Sequence, residues 1–136
     1  MPLKIAATET WTVGQPLVVD ADSPAGRYAT VFEDDGETGC FYAVDTDVED
    51  GNPVQDALLV YVVADVIDGD RACTLEIGWS DDGRKALLLI NDAPHAAFDF
   101  ERRQGWCQRG LPEAALSPAW STGSRQWSEA VEALFD

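Results

Sequence analysis

Residues 73–101 read CTLEIGWSDDGRKALLLINDAPHAAFDFE, and this stretch decides the fold. Leu75, Ile77 and Trp79 alternate with small or polar residues, which is the period of a β-strand with one buried face. The pair Asp82-Gly83 favours a two-residue hairpin turn, because both residue types tolerate a positive φ. We therefore predict a hairpin whose buried face holds three cross-strand pairs: Leu75 with Ile90, Ile77 with Leu88 and Trp79 with Ala86.

A second turn and a third strand follow this hairpin. Residues 91–94 read NDAP, a polar turn sequence closed by proline. Residues 95–101 then alternate again, with Phe98 and Phe100 on one face of a strand and polar side chains on the other. The segment therefore predicts a three-stranded antiparallel meander.

The amino-terminal half predicts a second hairpin. Residues 28–33 and 40–45 are rich in β-branched and aromatic side chains, and they flank the turn sequence DDGETG at 34–39. Residues 57–64, ALLVYVVA, are a continuous apolar run that predicts a strand covered on both faces. Residues 45–53 combine acids with Gly and Pro, so we expect an exposed loop there.

The carboxyl-terminal part has a different period. No strand is predicted over residues 102–123, and Ser124 then caps a predicted helix with one apolar stripe: Trp127, Ala130, Val131 and Leu134. We expect this helix to dock on the face of Leu87 and Leu89, because a short helix needs tertiary packing. The predicted fold is α+β, mainly β: a sandwich-like antiparallel sheet or meander with a C-terminal α-helix packed on it, in a single globular domain over residues 1–136.

The charge of the chain is strongly negative and unevenly placed. The sequence has 25 acids, 9 bases and a net charge of −16, and residues 1–70 hold 15 of the acids but only the bases Lys4 and Arg27. A field of this sign repels nucleic acids and anionic membranes and attracts cationic proteins. There is no apolar run of membrane-spanning length and no secretory signal pattern at the start. We therefore expect a cytoplasmic protein with a basic protein partner, no direct nucleic-acid binding and no membrane contact.

Two motifs resemble the signatures of a known family. The first is FEDDGETG-x-FYA-x-D over residues 32–45, and the second is WS-x-DG-xx-ALL-x-IN followed by PHA-x-FDFE over residues 79–101. Both look like segments of a family of small, acidic, uncharacterised bacterial proteins that is defined only as a domain of unknown function. The resemblance implies a bacterial origin and a shared fold, and it brings no activity, cofactor or catalytic residue.

Small acidic bacterial families of this kind often turn out to be immunity proteins for secreted toxins. By that analogy we predict a non-enzymatic protein-binding domain, an immunity-type inhibitor whose carboxylates occupy the basic cleft of a toxin. The expected contact residues are the acids of the first hairpin and of the loop after it: Glu33, Asp34, Asp35, Glu37, Asp45, Asp47, Glu49 and Asp50. We predict that the two segments form one patch.

Two other functions remain open from the sequence. Spaced carboxylates can imitate phosphates, which would make the protein a nucleic-acid mimic that inhibits a DNA-binding protein. Alternatively, it is a small-molecule-binding domain or an enzyme that uses the face of His95, Asp99 and Glu101, with Glu76 supplied by a neighbouring strand. No G-x-S-x-G, phosphate-loop or H-E-x-x-H motif occurs, so the enzyme is the minority interpretation and no catalytic residue is assigned.

No cofactor or metal is predicted. The cysteines Cys40, Cys73 and Cys107 lack the close spacing of a zinc site, so we expect free thiols, with a zinc site of the three cysteines and His95 as the alternative. The acidic stretch 45–56 has alternating oxygen ligands like a calcium loop, but Asp50 and Asp56 stand where an EF-hand has its glycine and its glutamate. We therefore expect a solvated acidic loop, with calcium binding as the alternative.

Overall fold

The computed structural model describes residues 3–47, 53–66, 71–108 and residue 131. These residues form β-strands and one short 3₁₀ turn, Val63–Asp65. The strands are β1 Lys4–Thr12, β2 Leu17–Asp22, β3 Tyr28–Asp34, β4 Thr38–Asp45, β5 Val54–Val62, β6 Ala72–Trp79, β7 Lys85–Ile90, β8 Ala93–Asp99 and β9 Gln104–Cys107.

The strands form two antiparallel sheets. A five-stranded sheet has the order β1-β6-β7-β8-β9, and a four-stranded sheet has the order β2-β3-β4-β5. Both predicted hairpins are present, since β3 pairs with β4 and β6 pairs with β7. Strand β8 continues the second hairpin into the predicted three-stranded meander.

The register of the β6–β7 hairpin is confirmed, whereas its turn differs from the predicted one. Leu75 lies opposite Ile90, Ile77 opposite Leu88 and Trp79 opposite Ala86. Gly83 has a positive φ of 71°, but Asp82 does not, and Asp82 instead accepts hydrogen bonds from the Ser80 hydroxyl and the Arg84 amide. The Ser80 amide donates a hydrogen bond to the carbonyl oxygen of Lys85 at 2.9 Å, so the loop between these two residues spans residues 81–84. The register is unchanged because both loops have the same centre.

One hydrophobic core lies between the two sheets. Phe41 of β4 stacks on Phe98 of β8 with ring centroids 5.0 Å apart, and both side chains are fully buried. Trp11 of β1 meets the edge of Phe32 of β3 at 5.6 Å. Each aromatic ring that bridges the sheets buries a large apolar area, so these contacts supply much of the stabilisation.

The predicted α+β class is wrong, because the fold is nearly all-β. The elements of the described residues are strands and one 3₁₀ turn, and Val131 alone among them has an α-helical backbone. The predicted C-terminal helix lies outside the described residues except for Val131, which is buried against Leu87, Ala97 and Trp106. Within the ranges that the structure describes, no helix is long and apolar enough to cross a membrane.

Three strands were not predicted. Strands β1 and β2 precede the first predicted hairpin, and β9 lies within residues 102–123, where no strand was expected. Strand β9 pairs with β8, with Cys107 opposite Ala96. The Cys107 thiol also donates a hydrogen bond to the carbonyl oxygen of Leu59 at 3.2 Å. Strand β9 therefore joins the edge of the five-stranded sheet to β5 of the other sheet.

Candidate protein-binding face

Alternation along β2 and β3 directs two sets of side chains to opposite faces of the four-stranded sheet. Val19, Ala21 and Phe32 are buried in the core. Their immediate neighbours therefore point outward: Val18, Asp20 and Asp22 from β2, and Val31 and Glu33 from β3. Val18 is 64% exposed and adds an apolar side chain to this outer surface.

The strand pairing brings these outward side chains together. Val18 lies opposite Glu33, and Asp20 lies opposite Val31. On β4, Cys40 lies opposite Glu33 and Tyr42 opposite Val31. Such cross-strand neighbours have Cβ atoms about 5 Å apart. We call the outer surface formed by Val18, Asp20, Asp22, Val31, Glu33, Cys40 and Tyr42 the carboxylate face.

The carboxylate face is negatively charged at neutral pH. The strands β2 to β5 carry Asp20, Asp22, Glu33, Asp34, Asp45 and Asp56 but no Lys or Arg. Burial raises the pKa of the Tyr42 hydroxyl and of the Cys40 thiol, so both remain protonated. The Tyr42 hydroxyl lies 3.5 Å from Glu33 Oε1, to which it donates a hydrogen bond.

Asp34 is buried and has a structural role. Its side chain is 1% exposed. Oδ2 accepts hydrogen bonds from the Tyr61 hydroxyl at 2.6 Å, the Gly14 amide at 2.7 Å and the Trp11 indole at 3.4 Å. Oδ1 accepts one from the Gly36 amide at 2.8 Å. This carboxylate joins β3 to β1 and β5, and its lone pairs are occupied by these donors. It is not available to a partner.

Asp45 is engaged inside the molecule as well. Its two carboxylate oxygens accept hydrogen bonds from Arg27 Nε at 3.1 Å and Nη2 at 3.0 Å, the bidentate geometry of a strong ion pair. The hydrogen bond from Arg27 keeps the pKa of Asp45 below its usual value. Because a guanidinium covers this carboxylate, Asp45 adds little to an attractive surface.

The remaining predicted acids do not form one patch. Asp35 and Glu37 are exposed in the β3–β4 turn, and Asp47 is exposed beyond the other end of β4. Strand β4 has 8 residues, which separate its two ends by roughly 24 Å. Of the predicted partner-binding acids that the structure describes, Glu33 alone belongs to the carboxylate face. The other two, Glu49 and Asp50, lie outside the described residues.

Hydrogen bonds in the β3–β4 turn occupy the carboxylate of Asp35 and so limit its availability to a partner. Its Oδ1 accepts hydrogen bonds from the Thr38 amide at 2.8 Å and the Glu37 amide at 2.9 Å. These bonds, led by that from Thr38, hold the pKa of Asp35 below its usual value. The carboxylate therefore stabilises the turn while it remains charged.

The structure does not bring the residues of the alternative ligand face together. Asp99 is 1% exposed, and its Oδ1 accepts hydrogen bonds from the backbone amides of Glu101 and Arg102. The side chain of Glu101 is paired with Arg84 at 2.7 Å. Glu76 lies on β6 opposite Leu89. His95 is the extra residue of a bulge in β8, since its neighbours on either side pair with consecutive residues of β7.

The described residues contain no group of three or more His, Cys, Asp or Glu side chains arranged to hold a metal ion. Cys40 and Cys73 are half-buried free thiols, and Cys107 is a buried one. The stretch proposed as a calcium loop includes residues 48–52, which lie outside the described residues. Asp56, at its end, is 1% exposed, and its Oδ1 accepts a hydrogen bond from the Ala57 amide.

His95 makes the stability of the fold depend on pH. Burial lowers the pKa of its imidazole, so between that value and about 6.5 the unfolded chain binds a proton that the folded chain does not. We expect the free energy of unfolding to fall as the pH drops below about 6.5. Urea unfolding at neutral and mildly acidic pH would measure the loss. His95→Gln removes the sole histidine of the chain, so the loss of stability at mildly acidic pH should be smaller in this variant. An identical pH dependence of stability in both proteins would contradict the role given to His95.

Sequence reasoning missed two acids of the carboxylate face, both on the edge strand β2. Asp20 and Asp22 are absent from the predicted set, because the acidic runs after them in the sequence are denser. The signal was present in the alternation of LVVDAD over β2, where every second residue from Val19 is apolar. A strand prediction for residues 17–22 would have placed both acids on one outer face.

Comparison with known proteins gives one family and one relative. The model of a family described as "Uncharacterized protein conserved in bacteria (DUF2251)" matches residues 11–136. A protein of Haemophilus influenzae with the name "Uncharacterized protein" is 45% identical over 110 residues, which are 80% of this chain and 68% of that relative. No solved structure matches the chain. The predicted kinship with uncharacterised bacterial proteins is confirmed, while the two motifs as family signatures stay a prediction.

Proposed function

Because this chain belongs to the bacterial family DUF2251, whose description carries no activity, we propose its function from the geometry of the carboxylate face. We propose that the protein is a non-enzymatic, acidic protein-binding domain. In this proposal, a basic protein docks on the outer surface of β2, β3 and β4. More specifically, the partner is a toxin whose basic cleft the carboxylate face occupies, and the protein acts as its immunity-type inhibitor.

The observation that carries the proposal is the composition of this face. Asp20 and Asp22 are exposed on the same surface as the apolar side chain of Val18, and the four strands of the sheet supply no Lys or Arg to neutralise them. A surface of one charge raises the association rate of an oppositely charged partner. Apolar contacts beside the charges then slow dissociation, since they are desolvated on binding.

We assign this role to acids other than those predicted from the sequence. Asp47 and the β3–β4 turn lie at opposite ends of β4, and Asp34 and Asp45 are committed to internal contacts. Asp20, Asp22 and Glu33 lie on adjacent strands instead, within one surface. A rigid sheet also holds its side chains in place better than a loop does, so less ordering entropy is lost on binding.

Co-expression with the product of a neighbouring gene tests the inhibitor function. If that product arrests growth, the wild-type protein should restore growth. The variant Asp20→Asn/Asp22→Asn/Glu33→Gln should restore it less, because the attraction between face and partner is removed. The matched control is Glu9→Gln/Asp81→Asn/Asp92→Asn, which neutralises the same number of exposed acids elsewhere.

Equal rescue by both triple variants would contradict a role for the carboxylate face. If the neighbouring product is not toxic and the protein instead releases a DNA-binding protein from DNA, the protein is a nucleic-acid mimic and the immunity proposal is wrong. Both functions use the same electrostatic attraction, so the identity of the bound protein distinguishes them.

A further inference from the structure

A large open cavity is lined by residues of both sheets and of the segments that follow β1 and β5. Its volume is about 720 Å³, which is within the range of small-molecule sites. Its apolar lining comes from both sheets and the segments beside them: Val13, Val60, Val66 and Ile90. These side chains can cover the apolar body of a ligand of drug-like size.

Among the described residues, the lining of the cavity carries one cation and no carboxylate. The sequence has 25 acids and 9 bases, yet the described residues that line the cavity include Arg71 and His95 and no Asp or Glu. Arg71 is exposed and makes no ion pair with the described residues. Its guanidinium is therefore a cation at an apolar cavity, without a carboxylate partner among the described residues.

The neighbouring polar groups offer mainly hydrogen-bond donors. Asn91 uses its Oδ1 to accept a hydrogen bond from the Thr74 amide at 3.0 Å, which orients its side chain and leaves the two N–H donors of its amide. His95 is half-buried, and burial lowers the pKa of its imidazole, so it is neutral at pH 7 with one N–H donor. The Tyr61 hydroxyl is already committed to Asp34.

We propose that this cavity binds a small amphipathic anion, an apolar ring or chain that carries a carboxylate or sulfonate group. The apolar body lies against the valines and Ile90, and the anionic group accepts hydrogen bonds from Arg71 and Asn91. An Arg guanidinium is suited to this because it presents several donors to one oxyanion. This site is separate from the carboxylate face and does not depend on the proposed protein-binding function.

A pair of fluorescent probes tests the site. Anilinonaphthalene sulfonate has an apolar ring system and an anionic group, and N-phenylnaphthylamine has a similar ring system without the charge. We expect the sulfonate to bind the wild-type protein with one molecule per chain and more tightly than the neutral probe. Arg71→Gln should weaken sulfonate binding by at least about tenfold, because a hydrogen bond to a charged group is lost. Binding of the neutral probe should change little.

Two further variants locate the binding. Lys4→Gln removes one exposed positive charge outside the cavity and should leave sulfonate binding within about twofold of wild type, since distant exposed charges are screened. Ala93→Trp places a large side chain in the cavity lining and should weaken both probes. Urea unfolding curves must show that each variant is folded.

Three results would overturn the proposal. The first is no sulfonate binding to the folded wild-type protein. The second is an equal loss for Arg71→Gln and Lys4→Gln, which would mean that net charge and not the cavity decides binding. The third is unchanged binding in a folded Ala93→Trp variant, which would place the probe elsewhere on the molecule.

Discussion

Replacing Asp34 by alanine is expected to lower the free energy of unfolding by about 3–5 kcal/mol. The substitution removes the acceptor for the Tyr61 hydroxyl, the Trp11 indole and the amides of Gly14 and Gly36. A buried donor left without an acceptor costs about 1–3 kcal/mol, and several donors lose their acceptor together. Urea unfolding followed by tryptophan fluorescence would measure the change.

Two variants test whether the loss of stability comes from this hydrogen-bond network or from the removal of a negative charge in general. Asp34→Asn keeps the shape and one acceptor oxygen, so a smaller loss of about 1–3 kcal/mol is expected. Asp20→Ala removes a carboxylate on the exposed outer face and should change stability by no more than about 0.5 kcal/mol. A loss below about 1 kcal/mol for Asp34→Ala would contradict the assigned role, since a buried network cannot be that weak.

Replacing Phe98 by alanine is also expected to lower the free energy of unfolding by about 3–5 kcal/mol. Phe98 is fully buried, stacks on Phe41 of the other sheet at 5.0 Å and meets the edge of Phe100 at 6.1 Å. Truncation therefore leaves a cavity at the junction of the two sheets. Thermal or urea unfolding of the variant would give the loss directly.

Phe98→Leu is the matched control, because leucine fills most of the same space. Its expected cost is below about 1.5 kcal/mol. The exposed Val18 offers a second comparison, since Val18→Ala should change stability by no more than about 0.5 kcal/mol. If Phe98→Ala and Val18→Ala had similar effects, the two sheets would not share the core described above.

The meander was predictable because its information is local. The alternation of Leu75, Ile77 and Trp79 sets the buried face, and the turn centred between Asp82 and Gly83 sets the register. Any turn with that centre gives the same cross-strand pairs, so the register was right although the turn type was wrong. The first hairpin, β3 with β4, was predictable for the same reason.

Strands at the sheet edges could not be predicted in this way. Most residues of β1 are exposed or half-exposed, so little apolar alternation marks it. Strand β9 has 4 residues, and its Gly105 lies against the ring of Phe98, where an added Cβ would come within 2.8 Å. Pairing with β8 stabilises β9, and that pairing is a tertiary property absent from local propensity.

In the candidate site, too, some features follow from local sequence and others depend on contacts between distant residues. Carboxylate density in the sequence predicted an acidic surface, but partners distant in the chain decide which acids remain exposed. Asp34 is bound by Tyr61, 27 positions away, and Asp45 by Arg27, 18 positions away. Neither contact follows from spacing or composition. Asp20 and Asp22 were accessible to pattern analysis, because their strand alternates clearly.

The association rate of the bound partner tests the role of the carboxylate face most directly. Once a basic partner is in hand, the variant Asp20→Lys/Asp22→Lys/Glu33→Lys should associate at least about tenfold more slowly at low salt. The matched variant Glu9→Lys/Asp81→Lys/Asp92→Lys has the same net charge and should associate much faster than the face variant. Equal rates for the two variants, or a rate unaffected by reversal of the face, would contradict the proposal.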